Sequence, residues 1–505
     1  MKVKTMTGLL LLLCWSGSLF QGFYYEQSYL IVFIVLLAGF AVFAFWDKEI
    51  QFSLFHLLIL FMAIMYGVSI LYAVDQEQAI LEANKFGLLV PWALIVTRVP
   101  LKQRIGYLKS WTWAAAGLVV WGLLLHLERK GRLESTIEYA NTLAVVLLIG
   151  LLSGLFFYVS KQKKRYLLLA AMSGAGLFLT FSRSVWILWG LSICMSLILF
   201  PEFRKRAAWI GTAFVHFLSY VIAATIKLDP LFFWSRVQSI QPQTSEFQIR
   251  LVYWKDSLQI IRDYGWTGSG GGGWVVLQQL YRSKEYFVKY VHNHFLQITM
   301  DIGLLGLLAF LAWIGWFYLK VWGFFKAKNL GETNFYWVKA ALVMVTVILL
   351  HAGFDFDLSF PWVFMLLLFL VSFVEIPINN RFTWRMKMET PLSKVILSGI
   401  LIMLVAVLGW FEWGYTCKRV GTNLVLSGQL SEGRAYLEKA ERALPWSHSV
   451  KYESAKSYVL LGNKTGDRTY YILAKEKIQA AADIMPKEEL YRSLLDELAK
   501  SKLVN

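Results

Sequence analysis

Residues 138–158 read EYANTLAVVLLIGLLSGLFFY, and after Glu138 no charged side chain appears for twenty residues. A helix of that length spans about 30 Å, the thickness of a bilayer's hydrocarbon core. The stretch has no polar face for water, so a membrane bundle is its natural place. Twelve further apolar stretches recur at or near this length: 6–20, 28–46, 53–73, 80–98, 109–126, 166–181, 184–200, 207–227, 294–319, 336–354, 361–376 and 394–413. Because a span needs about 20 residues and 6–20, 166–181 and 361–376 fall short, the expected count is 12–13 transmembrane helices.

Composition excludes the main alternatives. Of 505 residues, 57% are hydrophobic and 16% charged, against about 25% charged in soluble domains. The 22 Trp and 24 Tyr suit membrane–water interfaces, where an apolar body and a polar tip are both satisfied. The net charge of +17 comes from short basic clusters between apolar runs, which argues against nucleic acid as a partner. Cys14, Cys194 and Cys417 lie far apart, and no CxxC pair suggests a disulfide framework or a cysteine metal site. The start, with Lys2 and Lys4 before an apolar run, reads as an uncleaved first span, and Cys14 lacks the small residues expected before a lipidated cysteine.

Basic residues on the connections set the expected orientation. With the N-terminus inside, the clusters around Arg98–Arg104, Lys161–Arg165, Arg204–Arg206, Lys320–Lys328 and Arg381–Lys387 all face the cytoplasm. One connection objects: Arg129, Lys130 and Arg132 would lie outside, either to meet an anionic substrate or as tolerated surface charge. The same topology places 181–184, 228–293 and 351–361 outside. The connection 228–293 is too long for a simple turn and is expected to fold over the bundle. Beyond 413 the chain becomes charged and amphipathic. Lys439 to Pro445 and Ala480 to Pro486 look alike at an offset of 41 residues, which reads as a helical-hairpin domain similar to tetratricopeptide repeats. Thirteen spans would put this domain outside and twelve inside.

Several residues outside the membrane could carry chemistry. His292, Asn293 and His294 precede a span. A histidine there can take a proton near neutral pH, or the pair can be an interfacial helix start capped by Asn293. Two histidines at spacing two lack a recognisable third ligand, so no metal is expected. Arg183 sits between two closely spaced apolar segments, where an arginine is expensive and suits a phosphate or carboxylate partner. Arg250 belongs to a stretch with helical apolar spacing, read as a helix along the membrane surface. The glycines 268 and 270–273 lack the Gly-Lys-Ser or Gly-Lys-Thr ending of a nucleotide loop and read as a turn allowing close backbone approach. Asp355 and Asp357 could act as paired carboxylates, but shaping a vestibule or orienting the arginines and the histidine suits them better. Arg132 and Asn141 also lie near outer boundaries.

The order of these pieces resembles the O-antigen ligase and polymerase superfamily of membrane glycosyltransferases, over about 132–361. The matching elements are Arg132 through Asn141, Ser182-Arg183-Ser184, Arg250 followed by Trp254 and the glycine run, and His292-Asn293 followed by Phe295 and Leu296. The chain departs from the family at Ala140 and at Tyr264-Gly265-Trp266, where the family commonly has proline. The resemblance implies a transmembrane ligase-like domain over 1–413, with the external loop 228–293 inside it and a helical domain over 414–505. It implies a glycan donor on undecaprenyl pyrophosphate and a hydroxyl-bearing acceptor: a glycolipid, wall polymer or protein. His292 would act on the acceptor hydroxyl, Arg183 and Arg250 would hold the pyrophosphate, and His294, Asn293, Arg132, Asn141, Asp355 and Asp357 would assist. No cofactor is implied. The expected place is a bacterial cytoplasmic membrane with the site on its outer face, and the C-terminal domain could bind a protein partner. A polymerase of lipid-linked repeats and a non-enzymatic glycan transporter are the competing functions.

Overall fold

The computed structural model describes residues 2–47, 49–161, 163–238, 245–326, 332–375, 383–388 and 390–500. Lys328 and Arg381, counted above among the basic clusters, lie outside the described residues. Among the described residues the fold is almost entirely α-helical. The exceptions are two short antiparallel ribbons, Glu49–Ser53 with Thr383–Lys387 and Glu128–Arg129 with Arg132–Leu133.

Seven helices are long and apolar enough to cross a membrane, and five shorter apolar helices accompany them. Each apolar stretch read from the sequence falls on a helix or helix pair. The stretch 80–98 divides into Gln76–Gly87 and Leu89–Arg98, because Pro91 has no N–H to offer the Gly87 carbonyl one turn back. The stretch 109–126 lies in Leu101–Leu124, whose N-terminal part carries Lys102, Arg104 and Lys109 and which falls outside the membrane-length set. Lys2–Leu19 packs into the bundle: Leu10 and Cys14 are buried, and the Trp15 indole donates to Ser110 Oγ at 3.0 Å.

The helix opened by Ala140 is the hub. Its window is 94% buried, whereas that of Pro391–Leu426 is only 11% buried and lies at the periphery. Small residues permit this burial: Gly154 lets the helix approach Ala170 and the Tyr166 carbonyl, where a Cβ would sit at 3.0–3.1 Å. At one end of the bundle Arg104 donates to the carbonyls of Val99, Thr97 and Ser372, Arg98 to that of Gln51, and Arg385 pairs with Glu49. Three of the basic residues used to orient the chain therefore gather at a common end.

The opposite end is built differently. The segment expected as an external loop contains the helices Phe232–Gln238, Ser245–Tyr264 and Trp274–Tyr281, with its own apolar cluster of Tyr253, Ile260, Trp274, Leu277, Val291 and Met300. Phe247, Leu251 and Leu258 remain exposed along Ser245–Tyr264, as suits a helix at a membrane surface. The glycine run docks against the kinked helix His294–Lys326. There Ser269 N donates to the Met300 carbonyl at 2.7 Å, Gly270 N to that of Asp301 at 3.1 Å, and Gly272 N to Asp301 Oδ1 at 3.0 Å. The kink lies at Ile302 and Gly303, and Gly303 adopts φ 72°, ψ −174°, a region essentially closed to other residues.

The C-terminal helices Leu430–Ala443, His448–Thr465, Arg468–Ile484 and Glu489–Lys500 also sit at this end. His448 contacts Asp75 at 3.3 Å and Tyr491 at 2.7 Å, Ser449 N donates to Glu77 at 3.1 Å, and Lys487 reaches Tyr264 at 3.0 Å. The two look-alike stretches each end a helix, and Leu444 and Met485 leave these with nearly the same backbone angles.

A Cβ at Gly303 would overlap the Trp266 carbonyl, and one at Gly268 would lie 2.6 Å from the Asp301 carbonyl group. We expect Gly303→Ala and Gly268→Ala each to destabilise the purified protein by more than about 1 kcal/mol. Gly399→Ala, inside a helix where no heavy atom stands within 4 Å, should leave the thermal unfolding midpoint unchanged or raise it slightly.

Candidate active site

His292 stands immediately before the kinked helix, with its backbone at φ 54°. That left-handed conformation is costly for a side-chain-bearing residue and persists only where neighbours enforce it. On one side the Trp254 indole donates to the His292 carbonyl at 3.3 Å. On the other, Asn293 Oδ1 accepts from Phe295 N and Leu296 N at 3.0 and 3.1 Å, capping the helix. Asn293 is thus a cap, and the strained residue is the histidine whose ring faces the site.

The ring is aimed by a carboxylate. His292 Nδ1 lies 2.9 Å from Asp355 Oδ1. Asp355 is fully buried and also accepts from Arg250 at 3.1 Å, Asn141 at 2.7 Å, and the Tyr139 hydroxyl at 3.0 and 3.1 Å. Burial alone would raise the Asp355 pKa. The Arg250 guanidinium, with the His292 hydrogen bond and charge behind it, outweighs that and holds the carboxyl well below the usual range. Asp355 therefore stays an acceptor at neutral pH, and His292 donates to it through Nδ1. Among the described residues His292 Nε2 meets no hydrogen-bond partner. Burial and the Asp355 charge both push the Tyr139 hydroxyl up, so it remains a donor.

Arg250 also donates to the Phe354 carbonyl at 2.7 Å and borders a cavity of about 380 Å³ that Arg132, Asn141, Ser182, Arg183 and Ser184 line too. A second cavity of about 610 Å³ adjoins it through Arg132, Phe181 and Glu246, and adds Arg129, Lys130 and Arg236. Arg183 pairs with the exposed Glu246 at 3.4 Å. Arg132 is held by the Thr180 carbonyl at 2.8 Å and Asn141 Oδ1 at 2.6 Å. Burial, and then the nearby Arg183 charge, lower the Arg236 pKa, as happens where guanidinium groups converge. The joined space is wide enough for a phosphorylated ligand and is lined by donors that suit phosphate oxygens.

Sequence reasoning named His292, Arg183, Arg250, Arg132, Asn141 and Asp355, and the structure brings these together at one end of the bundle. It separates the rest. His294 is buried inside the helix bundle near Gln297, Asp301 and Phe364, away from His292. Asp357 belongs to a neighbouring network, accepting from Thr142 Oγ1 at 2.8 Å and bonding His351 Nδ1, while His351 Nε2 lies 3.0 Å from Ser184 Oγ. Tyr139, Arg236 and His351 were not assigned roles from the sequence. Tyr139 beside Asn141 and His351 before Asp355 were visible there, but only their placement around the carboxylates reveals what they do. Among the described residues no group of three or more His, Cys, Asp or Glu is arranged to hold a metal ion.

A family described as O-antigen ligase matches residues 166–311. That stretch contains Arg183, Arg250 and His292 but neither Asn141 nor Asp355. No curated protein matches the chain. The match and the apolar helices together support a membrane protein that handles glycans.

Asp355 supplies a direct test of the site's construction. Asp355→Asn leaves the buried Arg250 uncompensated and should destabilise the protein by about 3–5 kcal/mol. Asn141→Ala removes the amide that donates to Asp355 and accepts from Arg132, and should cost about 1.5–3 kcal/mol. Denaturant unfolding in a fixed lipid or detergent phase would rank the two.

Proposed function

We propose that this chain transfers a glycan from undecaprenyl pyrophosphate to an acceptor hydroxyl, on the outer face of a bacterial cytoplasmic membrane, as a ligase or protein O-glycosyltransferase. The observation that carries this reading is the His292–Asp355–Arg250 arrangement at the edge of an arginine-lined cavity. The match to O-antigen ligases over 166–311 is its second support.

His292 Nε2 takes the proton of the acceptor hydroxyl as its oxygen attacks the first carbon of the donor sugar. The bond from that carbon to the pyrophosphate oxygen breaks, and its electron pair leaves with the pyrophosphate. Arg183 and Arg250, with Arg132 behind them, stabilise the growing negative charge and orient the donor. In this reading the guanidinium groups provide the charge compensation that a divalent ion provides elsewhere, so the reaction needs neither metal nor nucleotide. Direct displacement inverts the configuration at the sugar carbon. The C-terminal helices, read as tetratricopeptide-like, lie at the same end and are suited to recruiting a protein partner or presenting an acceptor.

The test is transfer of radiolabelled glycan from undecaprenyl pyrophosphate to candidate acceptors by protein in lipid, with EDTA and without nucleotide. Wild type should form a glycosidic product, and His292→Ala should lower the rate by about 10²–10⁴-fold. His294→Ala should keep transfer. A single added glycan supports ligation, and a ladder would assign a polymerase instead. NMR of the product should find an inverted linkage, and retention would reject direct displacement. Passage of the lipid-linked glycan across the bilayer with no new sugar bond would replace the enzyme by a transporter.

A further inference from the structure

A third cavity, of about 350 Å³, adjoins the second through Arg129, Glu134 and Tyr139. Its lining includes Gln21, Tyr24, Tyr25, Glu138, Tyr139 and Phe356. The Tyr139 and Phe356 rings stack face to face at 4.6 Å between centroids, 28° from parallel, and together form an aromatic part of the wall. Glu138 stands across from donors without charge: Gln21 Nε2 at 3.1 Å and the Tyr25 hydroxyl at 3.2 Å. Glu134, at the rim, is neutralised by Arg129 at 2.9 Å. The larger space is therefore basic, while this cavity holds one arginine, which pairs with Glu134, the further carboxylate of Glu138 and an aromatic wall.

The cavity also touches the reacting machinery. Phe356 meets the His292 ring edge-on at 4.9 Å, and the Tyr139 hydroxyl bonds the same Asp355 that aims His292. Its two opposing turns are unusually constrained. Gln21, Gly22 and Phe23 on one side, and Ser135 and Glu138 on the other, all have φ between 43° and 61°. Thr136 Oγ1 donates to the Ser18 carbonyl and ties the turns together. Strained turns persist where the surrounding structure holds them, and they collect at binding sites.

Resting on the transferase reading above, we propose that this cavity is the acceptor subsite and binds an uncharged sugar. A pyranose offers a face of C–H bonds that packs on the negative face of an aromatic ring, and hydroxyls around its edge. The Tyr139–Phe356 wall takes the first, while Glu138, Gln21 and Tyr25 take the second as acceptor, mixed donor–acceptor and donor. The charge difference sorts the two substrates. A pyrophosphate is drawn to the arginines and repelled by Glu138, so the donor does not occupy the acceptor's place. The seated sugar lies against Phe356, whose ring meets that of His292.

The test is saturation-transfer NMR on the full chain in lipid nanodiscs, with methyl β-glucoside, methyl β-galactoside and methyl N-acetyl-β-glucosaminide as probes and methyl β-glucuronide as the anionic control. At least one neutral glycoside should bind, the glucuronide at least tenfold more weakly. Tyr25→Ala and Glu138→Gln should each weaken the neutral probe tenfold or more, and Glu138→Gln should narrow the gap to the glucuronide. Binding of radiolabelled donor should stay within twofold in both variants, which also reports that they are folded. The subsite is overturned if no neutral glycoside binds, if both variants bind it like wild type, or if donor affinity falls in parallel, which would assign the cavity to the donor's own glycan. Product formation without glycoside binding rejects this subsite alone. Glycoside binding without any product rejects the transferase reading and leaves a sugar site.

Discussion

A buried carboxylate in a helical membrane protein must collect every donor it can, and Asp355 does so from three separate parts of the chain. Tyr139 and Asn141 come from the start of the central helix, Arg250 from the folded connection, His292 from the strained residue before the kinked helix. None of these would hold its place without the others. Arg250 is mostly buried, so removing the carboxylate leaves a charge without compensation, and removing Arg250 makes the carboxylate itself expensive. This mutual dependence converts a bundle of apolar helices, which could slide and tilt at little cost, into a scaffold with one registered end.

A second carboxylate registers the neighbouring elements. Asp301 accepts from Gly272 N, Gln297 and Tyr66, and so binds the glycine run, its own helix and the helix Leu54–Ser69. The glycines serve this docking. At Gly268 and Gly303 two backbones meet with no room for a side chain, and the kink they share turns the helix start toward Trp254 and the site. A phosphate loop would have left its N–H groups open to a ligand. Here those of Ser269, Gly270 and Gly272 are spent on the protein itself.

Hydropathy alone located the helices, because apolar runs of membrane length admit few alternatives, and charge clusters grouped Arg98, Arg104 and Arg385 correctly at one end. What stayed illegible was pairing. His292 and His294 are two residues apart, yet one ring reaches a buried carboxylate and the other enters the bundle interior. The left-handed backbone at His292 separates them, and sequence does not display it. The objecting cluster at Arg129, Lys130 and Arg132 acquires a reason only in three dimensions, where it lines the space beside Arg236. In the connection 228–293 the apolar spacing around Arg250 shows one helix, whereas the cluster that folds the segment joins residues far apart in the chain and is completed by Met300 from the next helix.

The same pairing bears on the route of the transfer proposed above. Two carboxylates in one turn invite a double-displacement scheme, in which one of them attacks the sugar and is later released by water or acceptor. A nucleophile needs a lone pair free to approach the reacting carbon. Both oxygens of Asp355 are occupied, one by His292, Tyr139 and the Phe356 N–H, the other by Arg250 and Asn141. Asp357 spends its oxygens on Thr142 and His351, with no exposed surface. Each carboxylate is therefore committed to aiming another side chain. In the transfer reaction proposed above, the side chain that remains to take the proton of the attacking hydroxyl is the imidazole that Asp355 holds.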